Sequence, residues 1–201
     1  MKKLILGIIL AGAFNLAQAT DYTYTFNQTG LNDMPGGNVY YEWGLSWGLP
    51  AGQTIVDATL TYSDIKLISG NATDYLYSSL LNSAPKGLTT YNDPQLDTPS
   101  PTGAGVLLLG TATFKGVGSS YNSLSYDFAN ITGALAALNT DVADGEFGIG
   151  IDPDCHYTDN GICLTITTTD NGKPHTTVPD AASTAMLLGL AFVGLGIFRR
   201  K

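Results

Sequence analysis

The sequence predicts an all-β chain: a single β-sandwich of jelly-roll type, with about eight short strands and one short helix, lying between two apolar chain ends. Three observations predict it. Apolar and polar residues alternate with period two, as in Tyr22-Thr-Tyr-Thr-Phe26, which is the spacing of a half-buried strand. Gly, Asn, Asp and Pro recur between these segments, where turns need them. Only one stretch of the interior carries helical spacing.

The strands follow in order. After Tyr22–Phe26 comes aromatic-rich Val39–Trp47. Thr54–Leu67 carries Ile55, Ala58, Leu60, Tyr62, Ile65 and Leu67, one long strand or a pair with a bulge near Asp64. Asp74–Leu81, Val106–Phe114, Leu124–Phe128, Glu146–Ile151 and Ile162–Thr168 complete the set, a number of strands that suits a sandwich. The helix is Asn130–Asn139, with Ile131, Leu135 and Leu138 on one face, Asn130 or Thr132 as its N-cap, and Gly145 ending the turn that follows. It is placed to plug an open end of the sandwich. The stretch Asn92–Gly105, with three prolines and little to bury, reads as a functional or disordered loop.

Both chain ends are processing signals. Met1-Lys2-Lys3, the apolar run Leu4–Phe14 and the small residues Ala17 and Ala19 form a secretory signal peptide over residues 1–19. The sandwich then spans 20–168, and a polar spacer occupies 169–177. The last segment, 178–201, reads Val178-Pro179-Asp180, an uncharged run from Ala181 to Phe198, then Arg199-Arg200-Lys201. As a helix, 181–198 would span roughly 27 Å at 1.5 Å per residue, just short of a hydrocarbon core of about 30 Å. The basic cluster favours the cytoplasmic side and leaves the preceding chain outside.

Motif, membrane-length segment and basic stop, in that order, resemble the PEP-CTERM sorting signal of exosortase substrates. Val178-Pro179-Asp180 stands where the commoner form has Pro-Glu-Pro. The resemblance implies export through the secretory machinery and signal peptidase in a Gram-negative bacterium. It also implies a transient hold in the inner membrane by the C-terminal helix, recognition by an exosortase, removal of the tail, and delivery to the cell surface or extracellular matrix.

Charge narrows the function. Between Thr20 and Asp180 lie all seventeen acidic residues and only four basic ones, all lysines, a net −13. Such a surface repels phosphate backbones and excludes nucleic-acid binding. Cys155 and Cys163, in an oxidising compartment, are expected to form a disulfide around the loop between the last two strands. That loop has two readings. In one it is a hairpin stapled by the disulfide. In the other, Asp152, Asp154, Asp159 and Asn160 converge on calcium, which takes six to eight oxygens; an EF-hand pattern is absent, since its glycine position holds Tyr157. No other cofactor is expected.

Glu42 lies among aromatic residues, and Tyr41, Trp43 and Trp47 are either core or a platform for sugar rings. Cys155 and His156, adjacent in an extended chain, point to opposite faces and make a poor dyad. The expectation is a non-enzymatic surface or matrix protein associated with exopolysaccharide in a biofilm setting. A carbohydrate-binding module is the first alternative, and a secreted hydrolase the second.

Overall fold

The computed structural model describes residues 19–93 and 98–170, and residues 20–171 form one compact unit. The expected signal peptide before Ala19, the sorting motif, the 181–198 helix and the basic terminus lie outside the described residues. Among the described residues no helix is long and apolar enough to cross a membrane.

The unit is built of eleven strands: β1 Asp21–Gln28, β2 Asp33–Pro35, β3 Val39–Ser46, β4 Gln53–Ser69, β5 Asp74–Leu81, β6 Gly87–Asn92, β7 Val106–Phe114, β8 Ser120–Asp127, β9 Glu146–Pro153, β10 His156–Thr158 and β11 Ile162–Asp170. A helix, α1, spans Ala134–Asp141 between 3-10 turns at Phe128–Asn130 and Val142–Asp144. The first sheet runs β1-β11-β4-β10-β2, with β8 also paired to β4, and the second runs β6-β3-β9-β5-β7. Every strand pairing in both sheets is antiparallel. The two sheets bury one shared apolar core, the arrangement that lets each cover its hydrophobic face.

The eight predicted strands are all present. β4 is one strand of 17 residues, and the irregularity near Asp64 is real: Asp64 has φ 49°, a left-handed conformation that Asp tolerates better than most residues. The inward row Ala58, Leu60, Tyr62 resumes at Ile65 and Leu67 rather than on the even positions. A second irregularity lies where Thr167 pairs Asp57 but Thr168 pairs Ile55, leaving Val56 unopposed and 43% exposed. β11 continues through Thr169 and Asp170, so these residues belong to the sheet rather than to the spacer. The short strands β2, β6 and β10 were not predicted. Two of them have only three residues, too few to show a period.

The helix begins later than its pattern predicts. Neither Asn130 nor Thr132 caps it: Gly133 holds the N-cap position in a left-handed conformation, and Asp127 instead accepts from Ala129 N at the preceding 3-10 turn. Gly145, at φ 85°, does end the turn after the helix. Leu138 and Ala134 are buried against the core. Asn139 then does the work of a strand. β8 leaves β4 at Thr59, and beyond it the Asn139 side chain accepts from Ile55 N at 3.1 Å and donates to Ile55 O at 3.2 Å. One amide side chain thereby satisfies both backbone groups of an edge residue. Asn139→Ala is expected to cost about 1–3 kcal/mol, since both groups of Ile55 lose their partner; an unchanged urea midpoint would show that the contact contributes nothing.

Candidate functional site

The outer face of the second sheet gathers aromatic and acidic side chains. Alternation along the strands decides which residues reach it. On β3, Tyr41, Trp43 and Leu45 enter the core, so Tyr40, Glu42 and Gly44 face outward. On β9, Phe147, Ile149 and Ile151 enter the core, so Gly148, Gly150 and Asp152 face outward. Of the two readings for Tyr41 and Trp43, core or sugar contact, burial selects the core: they are only 6% and 4% exposed. Trp47 packs against Tyr24, Phe26 and Phe147 with ring centroids 4.9, 5.8 and 6.5 Å away. The cluster Tyr41, Trp43 and Trp47 therefore belongs to the core and its margin, by the parity of its strand.

A different aromatic row faces outward. Tyr91 pairs Tyr40 across β6 and β3, their rings stacked at 5.2 Å. Tyr77 pairs Asp152 across β5 and β9, and Tyr77 stacks on Tyr75 at 6.0 Å. Glu42 lies beside the first pair, with Tyr91 hydrogen-bonded to its carboxylate, and burial holds its carboxyl above the usual range despite that bond. Tyr40 is raised in turn by burial and then by the charges of Glu42, Tyr91, Asp93 and Asp152.

Two loops lie on the rest of this face, and glycine admits them. A Cβ on Gly44 would stand 1.9 Å from Pro85 O, and one on Gly150 would stand 3.1 Å from Pro101 Cδ. The second loop belongs to the proline-rich stretch, and Asp152 pins it. Ser100 N donates to Asp152 Oδ2 at 2.7 Å, and Ser100 Oγ donates to Asp93 Oδ1 at 2.8 Å.

The four candidate calcium ligands of the second reading do not converge. Asp152 lies on the outer face of the second sheet. Asp159 and Asn160 form the bend between β10 and β11 in the first. There Asp159 Oδ1 accepts from Gly161 N at 2.5 Å, and Asn160 Nδ2 donates to Asp64 Oδ2 at 2.8 Å, tying the bend to the irregularity in β4. Among the described residues, no group of three His, Cys, Asp or Glu side chains is arranged to hold a metal ion. The expected disulfide is also absent: both cysteines are free. Cys163 points away from the core between buried Ile162 and Leu164, whereas Cys155 packs toward the core and its thiol donates to Asp74 Oδ1 at 2.8 Å. A sheet separates the two thiols. His156 is engaged by Asp33 across β10 and β2.

Asp152 and Asp159 each keep one buried oxygen without a hydrogen-bond partner. Burial pushes Asp152 up to about 7, against the Ser100 hydrogen bond and with help from the charges of Asp93 and Asp154. Burial likewise pushes Asp159 to about 6, against its bond from Gly161 N. Both lie above the ordinary 3.8, so between those values the folded chain binds more protons than the unfolded one. Their contribution to stability is fully present below about pH 4 and is lost as pH rises through about 6 and 7. We expect Asp152→Asn to flatten the fall in stability between pH 4 and 8, by about 1.4 kcal/mol for each pH unit over which Asp152 titrates. Urea unfolding across that range checks it, and an identical pH slope in parent and variant would refute it.

Residues 177–201 match the VPDSG-CTERM motif. They are a PEP-CTERM-like sorting tail, which implies export, processing by an exosortase and a cell-envelope or surface location. No curated protein matches the chain. Among solved structures, a chain from the three-dimensional structure of maize chlorotic mottle virus is similar at 11% identity, covering 76% of this chain and 94% of that one, with a TM-score of 0.27. At that score the likeness bears on neither fold nor function.

Proposed function

We propose that this chain is a non-enzymatic component of a Gram-negative cell surface or extracellular matrix, whose exported sandwich associates with exopolysaccharide. The sorting tail at 177–201 is the observation that carries this reading, because it implies export and a cell-envelope or surface location. The strand order supports reading the sandwich as a jelly roll. β1-β11-β4-β8 faces β3-β9-β5-β7, and consecutive long strands alternate between the sheets except at β5 and β7, which pair with each other.

The outer face of the second sheet favours a carbohydrate-binding module as the sharper form of this reading. Tyr40, Tyr91 and Tyr75, the last backed by buried Tyr77, offer ring faces and edges for pyranose rings. Glu42 supplies acceptors for sugar hydroxyls beside them.

Full-length protein in detergent, passed over immobilised polysaccharide from the producing organism and over unrelated glucans, tests the reading. Retention on the organism's own polymer is expected, weakened about five- to tenfold in Tyr91→Ala, the scale of one lost aromatic contact. Passage through every polymer unretained would remove the polysaccharide role. The sorting reading has its own measurement. Protein released from the cell is expected to have an intact mass lacking the segment after about Asp180, and full-length protein in the medium would count against tail processing.

A further inference from the structure

β1 lies at the edge of the first sheet and has no second neighbouring strand among the described residues. Just before it, Thr20 O accepts from Asp170 N. Hydrogen-bonded pairs alternate along an antiparallel ladder, so the N–H and C=O groups of Tyr22, Tyr24, Phe26 and Gln28 turn to β11. Those of Asp21, Thr23, Thr25 and Asn27 turn outward.

The other edges differ. β2 has three residues and ends in Pro35. β6 follows directly on Pro85 and Lys86. β7 bulges, because Ser78 pairs Gly110 while Ser79 pairs Leu108. At β8 the seam between the sheets is closed: Tyr121 donates its hydroxyl to Thr113 O at 2.9 Å and packs on Phe114 at 5.1 Å, and Tyr126 lies over Gly110. Short strands, proline, lysine and bulges are the devices by which sheets avoid edge-to-edge pairing. β1 has none of them. Its eight residues keep an unbroken register with β11, and its one charge is Asp21 at the first position.

The seam beside β1 is also open. Tyr22, Tyr24 and Phe26 lie on the core side of the strand but are only half-buried, as is Trp47, on which Tyr24 and Phe26 pack. Leu88 of β6 is 37% exposed beside Gly30, just past the end of β1. An aromatic margin and a row of outward backbone groups thus run along one edge. A strand with aromatic residues at alternate positions would cover both.

β1 is itself such a strand. A two-fold axis perpendicular to the sheet makes two copies antiparallel and keeps each face on its own side, so residues of equal parity pair. With the axis at Tyr24, Thr23 stands opposite Thr25 and Asp21 opposite Asn27, and these are the residues whose backbone groups turn outward. On the core side Tyr22 stands opposite Phe26 and Tyr24 opposite its own copy, giving three aromatic pairs. The neighbouring register, with the axis at Thr25, gives two and sets Tyr22 opposite Gln28. No carboxylate faces another, which matters between chains whose exported parts each carry a net −13. We infer that a second copy of this chain docks antiparallel on β1, with Tyr24 at the two-fold axis. The first sheet then continues across the dimer as β8-β4-β11-β1-β1-β11-β4-β8.

Sedimentation velocity and residue-resolved hydrogen exchange on full-length protein in detergent test it. A monomer–dimer equilibrium is expected. Where about nine-tenths of the chain is dimer, the amides of Asp21, Thr23, Thr25 and Asn27 should exchange about tenfold more slowly than in dilute monomer. Those of Tyr22, Tyr24 and Phe26 should be protected at both concentrations. Thr25→Pro removes an outward N–H and leaves the β11 ladder intact; it should abolish the dimer and the added protection. Thr23→Lys combined with Thr25→Lys sets like charges opposite each other across the axis and should do the same, although it lowers the net charge that keeps copies apart. A chain that stays monomeric would overturn the inference. A dimer that survives both variants would overturn it in favour of another interface, the tail included. Protection of the outward amides at every concentration would overturn it in favour of the chain's own residues covering the edge. Growth beyond a dimer would overturn the two-fold pairing in favour of open, head-to-tail edge contacts.

Discussion

β4 is the strand on which the first sheet depends. It pairs with β8 along one edge, and with β11 and then β10 along the other; β1 and β2 reach it only through β11 and β10. At its centre Tyr62 is fully buried, and its hydroxyl meets Ser78 Oγ of β5 at 2.7 Å. That bond joins the sheets through the core. It satisfies a phenol whose burial, the largest influence on it, raises its pKa far above the ordinary value. A polar bridge in an apolar core is specific because either group alone would be left unsatisfied. The irregularity at Asp64 lets the same strand keep its inward face after the bend, so one continuous segment serves three neighbours.

The sequence made the sandwich legible because strand alternation is a local property. β5 and β7 have the predicted bounds, since Asp74–Leu81 and Val106–Phe114 are bracketed by turn residues. Sites are a matter of parity and topology, and there the reading diverged. Trp43 and Tyr40 differ by an odd number of positions on one strand, so an aromatic cluster that looks continuous in sequence divides between core and surface. Counting Tyr41, Trp43 and Leu45 as one face would have directed attention to Tyr40 and Glu42. Asp74 had no such signal. The thiol that donates to it, Cys155, lies 81 positions away. The Asp152–Asn160 stretch misled for a related reason: neighbours in sequence crossed from one sheet to the other within a few residues.

The acidic residues of the exported part fall into two physical kinds. Most are solvated and keep the surface charged. A few, Asp152 and Asp159 among them, are held inside with an unpaired oxygen, and burial opposes their ionisation. Asp152 meanwhile anchors the proline-rich loop through Ser100, and Asp159 orders the bend before β11. The carboxylates that organise the loops are thus also those that make the fold sensitive to the proton concentration outside the cell.

The first and last strands of the unit are neighbours. β1 pairs with β11 over eight residues, Thr20 N donates to Asp170 Oδ1 at 2.9 Å, and β11 is itself flanked by β4 over nine. The segment leading to the tail therefore leaves from an interior strand. A pull along β11 from its C-terminal end must shear two hydrogen-bonded ladders at once, whereas a strand on the sheet's edge could be unzipped bond by bond. A load applied at the C-terminal end of β11 would thus enter the domain through two ladders at once, one of them shared with the strand that opens the unit.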